Sequence, residues 1–234
     1  MKTVLVTGAA RGLGLAISQK AADSGYAVLG IGRRSSDGFS QIPHAKFYQF
    51  DLSNLDGIPG IMREIHQEHG PLSGLVNNAG IGNDGILGTM HGTDISAVLR
   101  TNLEAAILVS KFASRQMLRR QSGSIVNISS IIASTGYSGL SVYAASKAGL
   151  EGFTRSLSRE VGKANIRVNC VAPGYMQTDM TAGLEGSKLD SIRRRAPLGL
   201  PTIEQAANAV VFLLGDESSA ITGTILTVDG GATA

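Results

Sequence analysis

The sequence predicts an α/β fold, a doubly wound parallel sheet of about seven strands with helices on both faces. Three observations carry that expectation. Apolar runs of strand length alternate with stretches of helical period along all 234 residues. The strand-length runs are apolar at successive positions rather than alternate ones, as in strands covered on both faces. A turn holding three glycines joins the first run to the first helical stretch.

In chain order, Thr3 to Thr7 reads as a buried strand, followed by a helix from about Gly12 to Asp23 that ends near Gly25. Ala27 to Gly32 is a second strand, Lys46 to Phe50 a third, and Ile58 to Glu68 a helix. Leu72 to Val76 is a fourth strand, and one long helical stretch covers about Asp94 to Arg119. Ser124 to Ile128 is the fifth strand, Val142 to Val161 a second long helix and Ile166 to Val171 the sixth strand. Ile203 to Leu214 is a helix and Ile225 to Val228 a short last strand. Alternating strands and helices of this kind build a parallel sheet. Ligands bind such sheets beyond the carboxyl ends of the strands.

Composition narrows the function classes. Hydrophobic residues make up 43% of the chain and the net charge is only +3, which excludes disorder. No repeat, low-complexity tract or linker divides the sequence, so residues 1–234 read as one domain. The single cysteine, Cys170, excludes an intrachain disulfide framework and suits a reducing cytoplasm. The apolar stretch at the N-terminus is too short for a signal peptide. The charge-free segment Gln121 to Ser146 is too rich in Ser, Gly, Asn and Thr to span a membrane. A pI near 9.1 raises the question of nucleic acid. The arginines, however, fall in small groups without interleaved aromatics, so no nucleic-acid partner is expected. The outlier is glycine, 30 residues of 234, about 13% against a usual 7% or so.

The glycine turn is Thr7-Gly8-Ala9-Ala10-Arg11-Gly12-Leu13-Gly14. Glycines between a strand and a helix let the backbone approach a pyrophosphate at the helix N-terminus, so a dinucleotide is expected there. About 20 residues on, a carboxylate would select NAD and an arginine NADP. Arg33 and Arg34 occupy that place, no acid appears before Asp37, and Arg11 adds a cation in the turn. NADP(H) is therefore the expected cofactor.

Tyr143 and Lys147 lie four residues apart, on one helical face, in a helix that follows a charge-free strand and loop ending in Ile128-Ser129-Ser130. An ammonium beside a phenol favours tyrosinate and is expected to lower the Tyr143 pKa towards neutrality. Such a phenol can exchange a proton with a carbonyl or alcohol oxygen as hydride moves, and a serine hydroxyl can hold the same oxygen.

Over essentially its whole length the chain resembles the short-chain dehydrogenase/reductase family, whose fold is Rossmann-like. The matching motifs are the glycine turn, Asp51-Leu52, Asn77-Asn78-Ala79-Gly80, Asn102, Ser130, Tyr143 with Lys147, and Pro173-Gly174 with Thr178. Within the family it is most similar to the 3-oxoacyl-acyl-carrier-protein reductases, through Asn169 to Gly174 and Ile221-Thr222-Gly223 leading to Gly230-Gly231. The resemblance implies Tyr143 as general acid/base, Lys147 on the nicotinamide ribose, Ser130 on the substrate carbonyl, and Asn102 holding a water of the proton relay. It implies cofactor contacts at Gly8, Arg11, Gly12, Leu13, Gly14, Arg33, Arg34, Asp51, Leu52, Asn78, Ala79, Gly80, Pro173, Gly174, Met176 and Thr178. Ser129 is expected to be structural.

The implied reaction is NADPH-dependent reduction of a 3-oxoacyl thioester carried by acyl-carrier protein or CoA. Another ketone, alcohol, sugar or steroid, or an idle dinucleotide-binding regulator, are the alternatives. A homotetramer or homodimer is implied, with Ile107, Phe112, Leu150 and Phe153 as candidate contacts. A substrate lid at about 180–200 would contain Arg193 to Arg195, and the segment Ser35 to Ala45 is shorter than usual in such reductases and carries Gly38 and Pro43, so the helix implied there is truncated or missing. Gln121 and Ala164 stand where arginines would suit an acidic carrier, although Arg119, Arg120 and Lys163 are close. His66 and His69, beside Glu64 and Glu68, lack a third ligand, so no metal site is expected. Cys170 reads as a small core residue.

Overall fold

A computed structural model describes residues 1–177 and 186–234. Its sheet has seven strands in the order β3-β2-β1-β4-β5-β6-β7, all pairs parallel. The strands are β1 (Thr3–Thr7), β2 (Ala27–Gly32), β3 (Lys46–Gln49), β4 (Gly74–Asn77), β5 (Gly123–Ile128), β6 (Ile166–Pro173) and β7 (Ile225–Val228). β1 pairs with both β2 and β4, and the order reverses there, so a crevice opens beyond its carboxyl end.

The main helices are α1 (Gly12–Asp23), α3 (Ile58–His69), α4 (Gly92–Leu99), α5 (Ala105–Arg120), α7 (Ser141–Val161), α8 (Ser187–Arg195) and α9 (Ile203–Leu214), with α2 (Asp37–Ser40) and α6 (Ile132–Thr135) single turns. The residues that read as both-face-buried strands supply two apolar layers. One holds Leu5, Leu75 and Ile125 with α3 and α5 side chains such as Met62 and Met117. The other holds Val4, Val76 and Val126 with Ile17, Val210 and Leu213. α9 is set by a capping box, with the Thr202 hydroxyl accepting from Gln205 N at 3.2 Å and Gln205 Oε1 accepting from Thr202 N at 2.9 Å.

Beneath the crevice a buried polar chain crosses the sheet. Asn77 Nδ2 donates to Ser110 Oγ and to Asn127 Oδ1, both at 2.8 Å, and Asn127 Nδ2 donates to Thr154 Oγ1 at 2.8 Å. These bonds join β4 and β5 to α5 and α7.

Several expectations need correction. The helix expected as one stretch over Asp94–Arg119 is two, α4 and α5, separated by a π turn at Arg100–Glu104. The fourth strand runs Gly74–Asn77 rather than Leu72–Val76, because the Leu72 amide donates to Gln116 Oε1 at 3.1 Å instead of to a neighbouring strand. β6 continues to Pro173, since β7 carries the ladder past Val171. Leu150 is 1% exposed and belongs to the molecule's own interior, so it offers no surface to a second copy. The segment Ser35 to Ala45 does reduce to the single turn α2.

Candidate active site

The glycine turn is built by close approach. Gly8 has φ +65°, and a Cβ on Gly14 would stand 2.0 Å from Gly8 O and 2.6 Å from Asn78 Nδ2. Asn78 Nδ2 donates to Thr7 O at 3.0 Å and to Gly8 O at 3.2 Å, while the Thr7 hydroxyl accepts from the amides of Asn78 and Ala79, both at 3.0 Å. The ends of β1 and β4 are thereby locked together. α1 begins at this turn with no side-chain cap and no acidic residue in its first turn. Its N-terminal amides and positive dipole end suit an anion. These residues fit the pyrophosphate of a dinucleotide.

Arg33 and Arg34 are exposed immediately after β2. Asp51 follows β3. The Ser53 amide, 2.9 Å from Oδ1, holds the Asp51 carboxyl below its usual range, and Arg33 adds to the effect. The neighbouring Leu52 side chain is 6% exposed and packs in the core.

Four side chains converge beyond β4 and β5. Asn102 sits in the π turn, 1% exposed. Its Oδ1 accepts from Ile81 N at 2.8 Å, and its Nδ2 donates to Ile81 O at 2.9 Å and to Ser146 Oγ at 3.2 Å. The π turn inserts one residue and so aims Asn102 inward, as π-bulges at functional sites do. Lys147 is 4% exposed, and its Nζ donates to Ile128 O at 2.8 Å and lies 5.7 Å from the centre of the Tyr143 ring. Both Asn102 and Lys147 press on Gly80, where a Cβ would come 3.3 Å from Asn102 Oδ1 and 3.5 Å from Lys147 Nζ. Ser130, after β5, hydrogen-bonds the Tyr143 phenol through its side chain.

The electrostatics differ from the expectation for the tyrosine. Burial pushes the Tyr143 phenol above its usual value, outweighing the Ser130 hydrogen bond, and the Asp84 carboxylate pushes the same way. The burden falls on the lysine instead. Burial lowers Lys147 from 10.5 to about 8. Cys170 is buried within reach of the Lys147 and Glu151 charges, and burial pushes its thiol up to about 12, which suits a core residue.

Ser129 is placed structurally, with its hydroxyl donating to Glu151 Oε1 at 2.8 Å. Pro173 ends β6, and the Gly174 amide donates to Val228 O at 2.8 Å, which carries Gly174 and Met176 towards the same edge. Thr178 and the first part of the expected lid lie outside the described residues. Arg193, Arg194 and Arg195 are exposed on α8. His69 is engaged by the Tyr48 hydroxyl at 2.8 Å.

Sequence reasoning missed Thr7, Ser146 and Asp84. The first two act through hydrogen bonds to residues distant in sequence, which carry no spacing signature. Asp84 reaches Tyr143 only because the Gly85 amide donates to Gly139 O at 2.9 Å and draws two loops together.

A crossover-point crevice that fits a dinucleotide, with a serine, tyrosine, lysine and asparagine at its edge, defines a nicotinamide-dependent oxidoreductase. The chain belongs to the short-chain dehydrogenase/reductase family, and a family model described as enoyl-(acyl carrier protein) reductase matches residues 8–233. It is 40% identical over 239 residues to the 3-oxoacyl-acyl-carrier-protein reductase FabG of Chlamydia muridarum, covering 98% of this chain and 96% of that protein. It is 42% identical over 237 residues to the human 3-oxoacyl-acyl-carrier-protein reductase, covering 98% and 97%. Among solved structures, a putative gluconate dehydrogenase from Agrobacterium tumefaciens superposes with a TM-score of 0.94 at 30% identity, covering 100% of this chain and 96% of that one. Among the described residues no helix is long and apolar enough to cross a membrane.

Proposed function

We propose that this protein is a cytoplasmic, oligomeric single-domain enzyme that reduces a 3-oxoacyl thioester to the 3-hydroxyacyl thioester with NADPH. The observation that carries the reading is the Ser130 side chain hydrogen-bonded to the Tyr143 phenol, with the Nζ of the buried Lys147 5.7 Å from the Tyr143 ring centre. The nicotinamide, when bound, supplies the hydride. Ser130 holds the carbonyl oxygen and Tyr143 gives it a proton from its phenol oxygen. One Lys147 N–H is committed to Ile128 O, which fixes the ammonium and leaves its other two for a ribose hydroxyl and a water. Asn102 positions that water, and the proton returns to Tyr143 along this route. Gly8 to Gly14 and α1 take the pyrophosphate, and Arg11, Arg33 and Arg34 take the 2′-phosphate.

The surroundings favour an acyl chain. Ile86 and Leu87 are 72% and 55% exposed and follow Gly85, which is tied to Gly139 four residues before Tyr143. They give the mouth an apolar lip. Carrier protein and CoA thioesters are both compatible with it.

A second reading, oxidation of a polyhydroxy acid, draws on Asp84, whose carboxylate could accept sugar hydroxyls beside Tyr143, and on the likeness to the Agrobacterium protein. The deciding assay follows NADPH and NADH oxidation with acetoacetyl-CoA, acetoacetyl-acyl-carrier protein and 5-ketogluconate. Turnover of the thioesters with NADPH is expected, and Tyr143→Phe should lose about 10²–10⁴-fold in rate. Turnover of the ketogluconate alone would transfer the assignment to the second reading. Undiminished activity in Tyr143→Phe would overturn both.

A further inference from the structure

Away from this site, a cavity of about 230 Å³ lies between α3 and α5. Its floor is apolar and made by Met62, Pro71 and Phe112. Its rim carries Arg63, Arg115, Arg119 and Arg120, and among the described residues no carboxylate lines it. Four of the chain's 14 arginines therefore meet at one opening. The Arg115 guanidinium and the Lys111 ammonium lie 5.6 Å and 5.8 Å from the centre of the Phe112 ring, which adds a fifth cation beside the mouth. Like charges gathered this closely repel one another and raise the local potential for an anion.

Two details give the opening a fixed shape. Arg120 Nη1 donates to Pro71 O at 3.1 Å, and Gln116 Oε1 accepts from Leu72 N at 3.1 Å. A third detail points to a missing partner. His66 lines the same cavity, and its Nδ1 is buried with no hydrogen-bond partner among the described residues. Such an orphan is costly unless something completes it.

Arg120 and Pro71 flank the amino ends of β5 and β4, whereas Ser130 and Lys147 act at the carboxyl ends. β5 is six residues long, so the two places are about 20 Å apart at roughly 3.3 Å per residue. A ligand here overlaps neither the dinucleotide crevice nor the Ser130–Tyr143 pair, although Arg119 and Arg120 also stand beside the expected carrier face.

We infer that this cavity is a second ligand site, for a small organic anion that joins an apolar body to a phosphate group. The apolar part fills the floor over Met62 and Phe112, and the guanidinium rim takes the phosphate oxygens beside His66.

The probe is 1-naphthyl phosphate, titrated calorimetrically into the full-length protein with saturating NADPH, beside 1-naphthol and inorganic phosphate. Naphthyl phosphate is expected to bind at least tenfold more tightly than either half, and more weakly as salt is raised. Arg63→Ala with Arg119→Ala, both at exposed positions, should cut that affinity at least tenfold without altering NADPH binding. Because the chain has no tryptophan, Phe112→Trp provides a lone fluorophore in the cavity, whose emission should change on binding. Equal affinity for inorganic phosphate, undiminished binding by the double variant, or no binding at all would overturn the inference. So would a double variant that changes the sedimentation coefficient while the parent protein ignores naphthyl phosphate, since a second copy of the chain would then own the groove.

Discussion

Lys147 lies at the centre of the candidate active site and is predicted to weaken the fold it belongs to. The perturbation is Lys147→Met, which keeps length and apolar bulk while removing the charge. In the folded chain the lysine pKa is about 8 against an ordinary 10.5, and at about 1.4 kcal/mol per unit this difference amounts to roughly 3 kcal/mol. The folded state holds the proton less tightly than the unfolded state does. The destabilisation is therefore fully present below pH 8, and it is relieved as pH rises from 8 towards 10.5, where only the unfolded chain keeps the proton. The substitution also strips Ile128 O of its donor, at a cost of about 1–3 kcal/mol. At pH 7 the variant should be about 1 kcal/mol more stable, a rise in Tm of about 2–4 °C for a chain of this size. Between pH 7 and 9.5 that advantage should fall by about 2 kcal/mol, whatever the loss at Ile128, as the parent protein sheds its proton. Tyr143 and Tyr48, both pushed upward, are common to both proteins and cancel. Urea denaturation of the two proteins without cofactor, at both pH values, measures the difference. Parallel curves, separated by the same amount at pH 7 and 9.5, would refute the reasoning, because they would mean that Lys147 is not desolvated. Reductase activity should fall by about 10²–10⁴-fold in the same variant.

Three further outcomes follow from the geometry. Gly14→Ala places a Cβ 2.0 Å from Gly8 O, so the turn must open. A loss of about 1–3 kcal/mol in stability and at least a tenfold loss in dinucleotide affinity are expected by denaturation and calorimetry. Arg33→Ala, at an exposed position beside Asp51, should raise the KM for NADPH about tenfold, one charge-assisted bond of about 1.4 kcal/mol, and leave that for NADH unchanged. Asn127→Ala removes the middle of the chain from Asn77 to Thr154 and takes one of two hydrogen bonds from each of these buried groups, so unfolding in urea should show a loss of about 1–3 kcal/mol.

Those elements whose signal is local were legible in the sequence. β1, β2 and α1 carry their pattern in consecutive residues and fall where expected. The Tyr143–Lys147 face follows from helical spacing alone. What escaped depends on residues distant in sequence or on one extra residue. A π turn leaves composition and apolar content unchanged, so Arg100–Glu104 reads as ordinary helix. The direction of the Tyr143 shift needs burial, which a four-residue spacing does not contain. Arg63 and Arg119 are far apart in sequence, and only the packing of α3 on α5 makes them neighbours.

The same π turn marks a bargain between the helix and the chemistry. Deleting any one residue between Arg100 and Glu104 would restore regular α-helical bonding, to the benefit of that helix in isolation. It would also rotate everything on one side of the deletion by about 100° relative to the other, and Asn102 would leave Ile81 and Ser146. The longest helical stretch before β5 thus carries a permanent single-residue insertion that makes it a poorer helix. A version shortened there would hold a more regular helix, but it would lose the Asn102 site together with the packing of buried side chains such as Val98 or Val109 on the side that turns.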